Sequence, residues 1–228
     1  KDITFSYKNF IKNNQIDMLF EEVKNIDIYK KKVYLNGLNL SYDKLIISPG
    51  VELEYNSING LTNSFDNQNV FTAWKAGEET NLFSKRIKKL NNKENIIITI
   101  PLSPYRCPPG PYERVSMVAH HLKKTNPTAK IIVADPKPKF SKMALFQEGW
   151  ANHYDGMIDW VGPEFGGADV SVDPSAMTLT IDGEITKVDV CNVIPAMKAG
   201  RICEMAGVVE GNWAPVSAYT MQSRLDED

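Results

Sequence analysis

The chain has 228 residues, 43% of them hydrophobic, which is enough for one large domain or two smaller ones with a hydrophobic core. Its 26 basic and 28 acidic side chains nearly cancel, and no stripe of lysine and arginine is interleaved with aromatic residues, so the composition gives no indication of nucleic-acid binding. The longest apolar runs have the length of a strand, and no segment is predicted to cross a membrane.

The first third of the chain is predicted to contain a helix end and several strands. Residues 5–14 are typical of the last turns of a helix, and two strand-like runs follow it. The Asn36–Gly37 pair is a strong signal for a two-residue hairpin turn. The sequence LSYDKLIISPG, residues 40–50, then predicts a buried strand that ends at Pro49–Gly50.

The middle of the chain predicts a helix followed by a strand–helix–strand unit. Apolar residues at nearly helical spacing predict a helix between Trp74 and Leu90. The β-branched run at 95–101 predicts a buried strand, and Pro111 suits the first position of the next helix. One apolar face of that helix and a second buried strand at 130–135 complete a βαβ unit over residues 95–135.

The last third of the chain adds short elements around this unit. Ser141 is predicted to cap a helix that runs to about Asn152. Alternating strands with a turn at Asp182–Gly183 follow, then a final strand at 190–195 and a short helix closed by Gly207. The order of elements predicts an α/β fold, Rossmann-like, with parallel strands and antiparallel excursions.

The turn inside the βαβ unit lacks the residues that bind a dinucleotide. Rossmann units carry G-x-G-x-x-G there, because glycine lets the backbone approach a pyrophosphate. This turn reads PLSPYRCPPGPYE, with Gly110 as its one glycine and several prolines that remove N–H donors. Asp135 stands at the position of a ribose-binding acid, but without the glycines it does not predict a nucleotide site.

The same turn suits a reactive thiol. Cys107 lies between Arg106 and the start of a helix, and both positive charges favour a thiolate over a thiol. Glu113 lies in the first helical turn, where a carboxylate could exchange a proton near the sulfur. From the residues alone, an incidental cysteine and an ordinary first-turn glutamate remain the alternative interpretation.

The other two cysteines are predicted to be structural. Cys191 lies in an apolar strand and Cys203 on a short apolar helix, so both are predicted to be small core side chains. The three cysteines have no CxxC spacing, and the three histidines are not arranged to share a metal, so no metal site is predicted.

Several stretches together resemble one protein family. YDKLIISPG resembles the strand that ends against FAD in flavoproteins with two dinucleotide-binding domains. Four further stretches closely resemble the flavoprotein subunit of flavocytochrome c sulfide dehydrogenase, in the same order along the chain. They are FTAWKAGEET, RCPPGPYERVSMVAHHLK, FSKMALFQEGW and VCNVIPAMKAGRICEMAGV. The CPPGPYE motif is the most specific of these.

The resemblance implies a domain organisation. Residues 1–72 would be part of an FAD-binding domain, 73–189 a central NAD-binding-like domain that has lost its glycine-rich motif, and 190–228 the return into the FAD-binding domain. The chain would then be the central part of a longer protein, with the glycine-rich FAD-binding motif before it and further flavin-binding segments after it.

The resemblance also implies site residues. Cys107 matches the first cysteine of a redox-active disulfide that faces the flavin, and Glu113 matches an acid/base proposed beside it. The partner cysteine would lie beyond residue 228, since neither other cysteine matches it. The family has a second proline where this chain has Ala196. The implied flavin contacts are Ser48, Pro49, Gly50, Ile194 and Pro195.

The implied function is oxidation of sulfide or a related reduced sulfur compound. Electrons would pass from the Cys107 disulfide through FAD to a c-type cytochrome subunit, in the periplasm. Two alternatives remain: a sulfide:quinone-type or NAD(P)H-dependent flavoprotein of the same superfamily, and a non-catalytic, sulfur-binding relative. The identity of the sulfur substrate does not follow from the sequence.

Overall fold

The computed structural model describes residues 5–64, 67–91, 94–165, 167, 169–181 and 183–226. The chain divides into two compact units, Lys1–Gly50 with Ala199–Asp228, and Val51–Lys198. These units are defined by packing, whereas the domain boundaries at 72/73 and 189/190 concern cofactor binding, so those boundaries remain predictions.

The described residues form five α-helices and thirteen strands. The helices are α1 (Lys8–Asn14), α2 (Glu78–Lys88), α3 (Gly110–Thr125), α4 (Met143–His153) and α5 (Arg201–Met205). The strands are β1 (Asn25–Asp27), β2 (Lys32–Tyr34), β3 (Asn39–Ser41), β4 (Val51–Glu54), β5 (Val70–Phe71), β6 (Ile96–Thr99), β7 (Ile131–Ala134), β8 (Ile158–Val161), β9 (Val170–Asp173), β10 (Thr178–Ile181), β11 (Glu184–Lys187), β12 (Val190–Val193) and β13 (Ala196–Ala199). No described helix has both the length and the apolar character needed to cross a membrane.

The first unit contains a three-stranded antiparallel sheet in the order β1-β2-β3. The predicted hairpin between β2 and β3 is confirmed: Gly37 has φ 73°, and the amide of Leu35 donates to the carbonyl of Leu38 at 2.8 Å. A positive φ is accessible to glycine at little cost, which is why the Asn36–Gly37 pair makes this turn. The core of the unit is formed by Ile26, Val33, Ala199, Cys203, Ala206 and Val208.

The buried strand predicted over residues 40–50 is largely wrong. Within this range only residues 40 and 41 belong to a strand, the end of β3, and residues 42–50 lie outside any strand. Ile46 is 91% exposed. A run rich in isoleucine forms a strand only where a neighbouring strand supplies hydrogen-bond partners and a face to pack against. The second unit supplies such neighbours to its own isoleucine-rich run.

A five-stranded parallel sheet, in the order β5-β12-β6-β7-β8, is the core of the second unit. Ile96, Ile97 and Ile98 are completely buried in β6, which has neighbours on both sides. Burial of such a side chain contributes about 1.5–3 kcal/mol relative to exposure, so the continuous apolar run of β6 suits a strand covered on both faces. The predicted βαβ unit is confirmed as β6, α3 and β7, with the strands adjacent and parallel.

Two helix starts differ from their predictions. Helix α3 begins at Gly110, so Pro111 takes the second helical position. Helix α4 is preceded by Lys142, which has φ 62° and fills the cap position, so Ser141 does not cap it. Phe140, which is buried against α3, lies shortly before α4. The chain must therefore turn sharply at Lys142 to enter the helix.

A second, antiparallel sheet of β9, β10 and β11 packs near the start of the unit. Asp182, in the predicted turn between β10 and β11, lies outside the described residues, while Gly183 has φ 81°. Gly60 has a similar φ of 82°, but a Cβ placed on it would lie 1.9 Å from the carbonyl oxygen of Val172 in β9. Glycine is therefore required at residue 60 by space as well as by backbone conformation.

This contrast predicts unequal effects of two alanine substitutions. Gly60→Ala should lower the free energy of unfolding by about 3 kcal/mol or more, because β9 must move. Gly183→Ala has nearly the same φ but meets no described atom within 4 Å, so it should cost about 1–2 kcal/mol from the backbone alone. Urea unfolding of both variants measures the difference, and equal losses would contradict the close approach of Gly60 to β9.

Candidate functional site

Cys107 lies in the loop that joins β6 to α3, at the carboxyl edge of the parallel sheet. Ligand sites in open α/β sheets are found at this edge. The Cys107 side chain is exposed, and its carbonyl accepts a hydrogen bond from the amide of Gly110 at 2.8 Å. Its φ of 62° is unfavourable for a residue with a Cβ, so the surrounding loop must hold the backbone in this conformation.

The thiol of Cys107 packs against the first residue of α3. A Cβ placed on Gly110 would lie 3.0 Å from both Cys107 Sγ and the Cη2 atom of Trp74. The sulfur and the edge of the indole ring therefore share the space beside this glycine, no more than twice that distance apart. Gly110 is needed to admit the thiol, and not only as a remnant of a phosphate-binding motif.

Trp74 also contacts Arg114 of α3. The guanidinium lies 5.0 Å from the centroid of the Trp74 ring, where a cation–π interaction stabilises it. It donates to the carbonyl of Ala73 at 2.7 Å and to Asn192 Oδ1 at 2.8 Å. Burial lowers the pKa of Arg114 to about 10, which still leaves it a cation at neutral pH.

The contacts of Arg114 with Trp74 and Asn192 were not predicted from the sequence, although the position of Asn192 gave an indication of them. Asn192 is fully buried in β12, between apolar residues, and a buried amide needs hydrogen-bond partners. Its Nδ2 donates to the carbonyls of Phe71 and Thr72, at 3.0 and 2.7 Å, at the end of β5. The amide thereby links the two strands to the guanidinium.

Glu113 lies at the same end of α3 as Cys107. Its side chain is exposed and its amide donates to the carbonyl of Pro109 at 3.0 Å, within the first helical turn. No hydrogen bond joins its carboxylate to Cys107 among the residues described. Arg106 is also exposed, so both charged neighbours of the thiol stand in solvent.

Asp135, at the end of β7, is completely buried and is bound by side chains of its own unit. Its Oδ2 atom accepts from Tyr112 Oη at 2.6 Å and from Trp160 Nε1 at 3.2 Å, and its Oδ1 atom forms a 2.6 Å ion pair with Lys137 Nζ. Burial and the bond to Asp135 raise the pKa of Tyr112 well above its usual range. No face of this carboxylate is open to a ribose.

Aromatic rings fill the space around Asp135. Tyr112 and Phe140 stack with centroids 3.7 Å apart and planes 12° from parallel. Phe140 also contacts Phe146, Trp150 and Trp160, with ring centroids about 6 Å apart. Trp150 and Trp160 are therefore packing residues of this cluster.

The predicted flavin contacts fall into two groups, one in each compact unit. Ser48, Pro49 and Gly50 are exposed at a turn where Gly50 has φ 80°. A Cβ on Gly200 would lie 2.8 Å from Pro49 Cγ and 3.2 Å from the Gly50 carbonyl oxygen, so the start of α5 lies directly against this turn. An exposed turn with so little side chain suits the close approach of a planar ligand to the backbone.

Ile194 and Pro195 belong to the second unit. Both are buried, Ile194 completely, so a ligand could meet their backbone but not the Ile194 side chain. Their assignment as flavin contacts remains a prediction.

Cys191 and Cys203 are both buried, as predicted, and neither is in a disulfide within this chain. Burial raises the pKa of the Cys191 thiol to about 12, so it stays protonated and unreactive at neutral pH. Among the described residues, no group of three or more histidine, cysteine, aspartate or glutamate side chains could hold a metal ion.

The parallel sheet and its βαβ unit define an α/β protein of the dinucleotide-binding class, with a cysteine where that class has glycines. The family model of the central region of the sulfide dehydrogenase (flavocytochrome c) flavoprotein chain matches residues 80–195, just over half of the 228 residues. The chain belongs to this family. Membership indicates FAD as the cofactor, which the exposed Ser48–Gly50 turn fits.

Solved structures share the fold at low sequence identity. An NAD-dependent persulfide reductase from A. fulgidus is similar at a TM-score of 0.60 and 20% identity, over 92% of this chain and 37% of its own. A chain of the Tetrahymena thermophila mitochondrial ATP synthase is similar at a TM-score of 0.56 and 16% identity, over 90% of this chain and 53% of its own. The chain thus spans about half or less of the length of these proteins.

The burial of the thiols predicts which of them react. Once the protein has been reduced and the reductant removed, Cys107 of the native protein should react quickly with Ellman's reagent at pH 8, whereas Cys191 and Cys203 should not, because both are inaccessible and Cys191 remains protonated. All three should react after unfolding in guanidinium chloride. Peptide mapping of the alkylated protein identifies the fast thiol, and rapid labelling of Cys191 would contradict its burial.

Proposed function

We propose that the protein containing this chain is an FAD-dependent oxidoreductase that oxidises sulfide or a related reduced sulfur compound through Cys107. The observation that carries the proposal is the exposed thiol at the carboxyl edge of the parallel sheet, at the turn where the dinucleotide-binding class has glycines. Family membership supports it, because the matched region of residues 80–195 includes that turn.

The proposed chemistry is thiol–disulfide exchange. Hydrosulfide attacks a disulfide between Cys107 and a cysteine outside this chain, which breaks the S–S bond, forms a persulfide and releases one cysteine thiolate. The sulfur of sulfide is oxidised by two electrons and the disulfide is reduced by two. A thiolate released at Cys107 would lie next to Arg106 in the sequence and three residues before the start of α3.

The chain's residues have distinct tasks in this scheme. Glu113, exposed in the first turn of α3, takes the proton that an incoming H₂S loses. Trp74 and Gly110 hold the Cys107 sulfur on one side. FAD, when bound, supplies a two-electron acceptor that can release electrons singly to a c-type cytochrome partner. The family name supports that partner and a periplasmic location.

The residues of the second nucleotide position argue against NAD(P)H as reductant. Asp135 already has donors on both carboxylate oxygens, and rings occupy the adjacent space. A dinucleotide could bind there only by breaking these contacts. The persulfide reductase that shares the fold is named as NAD-dependent, so the two proteins are proposed to differ in their reductant.

Anaerobic titration of the complete protein, purified with FAD, tests the proposal. Sulfide should bleach the visible flavin absorbance, and NADH in a separate sample should not. Bleaching by NADH alone would overturn both the proposed substrate and the argument from Asp135. Bleaching by neither would favour another sulfur compound, for example a persulfide, or a non-catalytic role.

Substitution of the thiol provides a sharper test. Cys107→Ser should abolish flavin reduction by sulfide while leaving flavin binding intact, because the disulfide that accepts the two electrons of sulfide can no longer form. Cys203→Ala is the matched control, since it removes a buried thiol from a core position. A Cys107→Ser protein that is reduced at the wild-type rate would rule the mechanism out.

Glu113→Gln tests the proton transfer. The substitution preserves shape and should slow flavin reduction by about 10²-fold, the typical contribution of a positioned acid or base. Stopped-flow measurement of flavin bleaching gives the rate, and an unchanged rate would remove Glu113 from the mechanism.

A further inference from the structure

We propose that Asp135 and Lys137, at the position where dinucleotide-binding folds hold a ribose, are positioning residues for the loop that carries Cys107. The inference rests on the proposed function, because it concerns the geometry of the Cys107 sulfur during the reaction. It assigns to the former nucleotide position a task in thiol chemistry.

Lys137 connects Asp135 to the start of the loop. Its Nζ atom lies 2.6 Å from Asp135 Oδ1 and donates to the carbonyl of Pro101 at 3.0 Å. Pro101 is the second residue after β6, so this hydrogen bond determines the direction in which the loop leaves the sheet. The Lys137 side chain is 11% exposed, which makes these contacts largely inaccessible to water.

The middle and end of the loop are reached through Tyr105. The Lys137 ammonium lies 5.3 Å from the centroid of the Tyr105 ring, and Tyr105 Oη donates to the carbonyl of Pro108 at 3.0 Å. Pro108 directly follows Cys107. A chain of contacts therefore runs from the buried carboxylate to the residue next to the thiol.

Asp135 also binds the helix that follows the loop. It accepts from Tyr112, in the first turn of α3, at 2.6 Å. One carboxylate at the end of β7 thus restrains the loop at both ends, through Pro101 and through α3. Such restraint accounts for the positive φ of Cys107, since an unfavourable backbone conformation persists only where neighbouring contacts enforce it.

Loss of this restraint should affect differently the reactivity of Cys107 toward small reagents and its rate in the enzymatic reaction. A looser loop exposes the sulfur more freely, so a small alkylating reagent should react with it at least as fast as before. The enzymatic reaction instead requires one sulfur position, and a displacement of about 1 Å can slow such a step by about 100-fold. A purely structural ion pair would change stability without this divergence.

The test is a double variant, Asp135→Asn with Lys137→Met, in the complete protein with FAD. Removing both charges avoids leaving one of them buried without a partner. Lys123→Met is the matched control, because Lys123 also donates to a carbonyl, that of His153 at 2.8 Å, and also lies over a tyrosine ring, that of Tyr154 at 6.0 Å. It is remote from the Cys107 loop in sequence and in hydrogen bonding.

The double variant should reduce its flavin with sulfide at least 10-fold more slowly than the control at saturating sulfide. Alkylation of Cys107 by iodoacetamide, measured after the proposed disulfide has been reduced, should be unchanged or several-fold faster. Wild-type-like rates of flavin reduction in a folded double variant would overturn the inference. A parallel fall in the rates of flavin reduction and of alkylation would also overturn it. That result would indicate that Asp135 and Lys137 affect the reactivity of the thiol and not its position.

Two further measurements keep the outcome unambiguous. Labelling of Cys191 or Cys203 would reveal that the double variant is unfolded. In that case Tyr105→Phe, which removes the hydrogen bond to Pro108 and keeps the ring, takes its place, and its rates of flavin reduction and of Cys107 alkylation are compared in the same way. If the wild-type protein is not reduced by sulfide, the proposed function fails. The inference then depends on the alkylation rates alone, and a slower alkylation of Cys107 in the double variant than in the wild type would overturn it.

Discussion

The buried carboxylate of Asp135 imposes the constraint on which the site depends. A fully buried charge must be hydrogen-bonded and paired, and the chain meets that need with donors from three elements: Tyr112, Lys137 and Trp160. Each donor is fixed in turn by packing or by a second bond. A requirement at the end of one strand thereby determines the course of the loop and the start of the helix beside it.

The turn between β6 and α3 differs from the glycine-rich turn of the dinucleotide-binding class. Glycines in a dinucleotide-binding turn leave room for a phosphate and expose backbone N–H groups, whereas this turn uses prolines, which lack those groups. The one glycine that remains, Gly110, gives its space to the sulfur of Cys107 and the edge of Trp74. The same position in the fold thus holds a thiol where the dinucleotide-binding class holds a bound anion.

The sequence predicted best those elements that are specified locally. The βαβ unit, the Asn36–Gly37 hairpin and the structural cysteines follow from apolar periodicity, turn chemistry and local composition, and all are confirmed. The strand predicted at 40–50 is largely absent, because its formation depends on a neighbour that periodicity does not reveal. The cluster of Arg114, Trp74 and Asn192 joins segments distant in sequence, so only the fold brings it together.

The contact between Cys107 and Gly110 restricts the directions from which the sulfur can be approached. The start of α3 and the edge of the Trp74 indole lie beside the Sγ atom, while the Cys107 residue as a whole is exposed to solvent. Any atom that becomes bonded to this sulfur must therefore extend away from α3. Under the proposed function, a sulfur chain that grew on Cys107 would extend away from the first turn of α3, and its length would be limited by whatever part of the complete protein faces that side of the thiol.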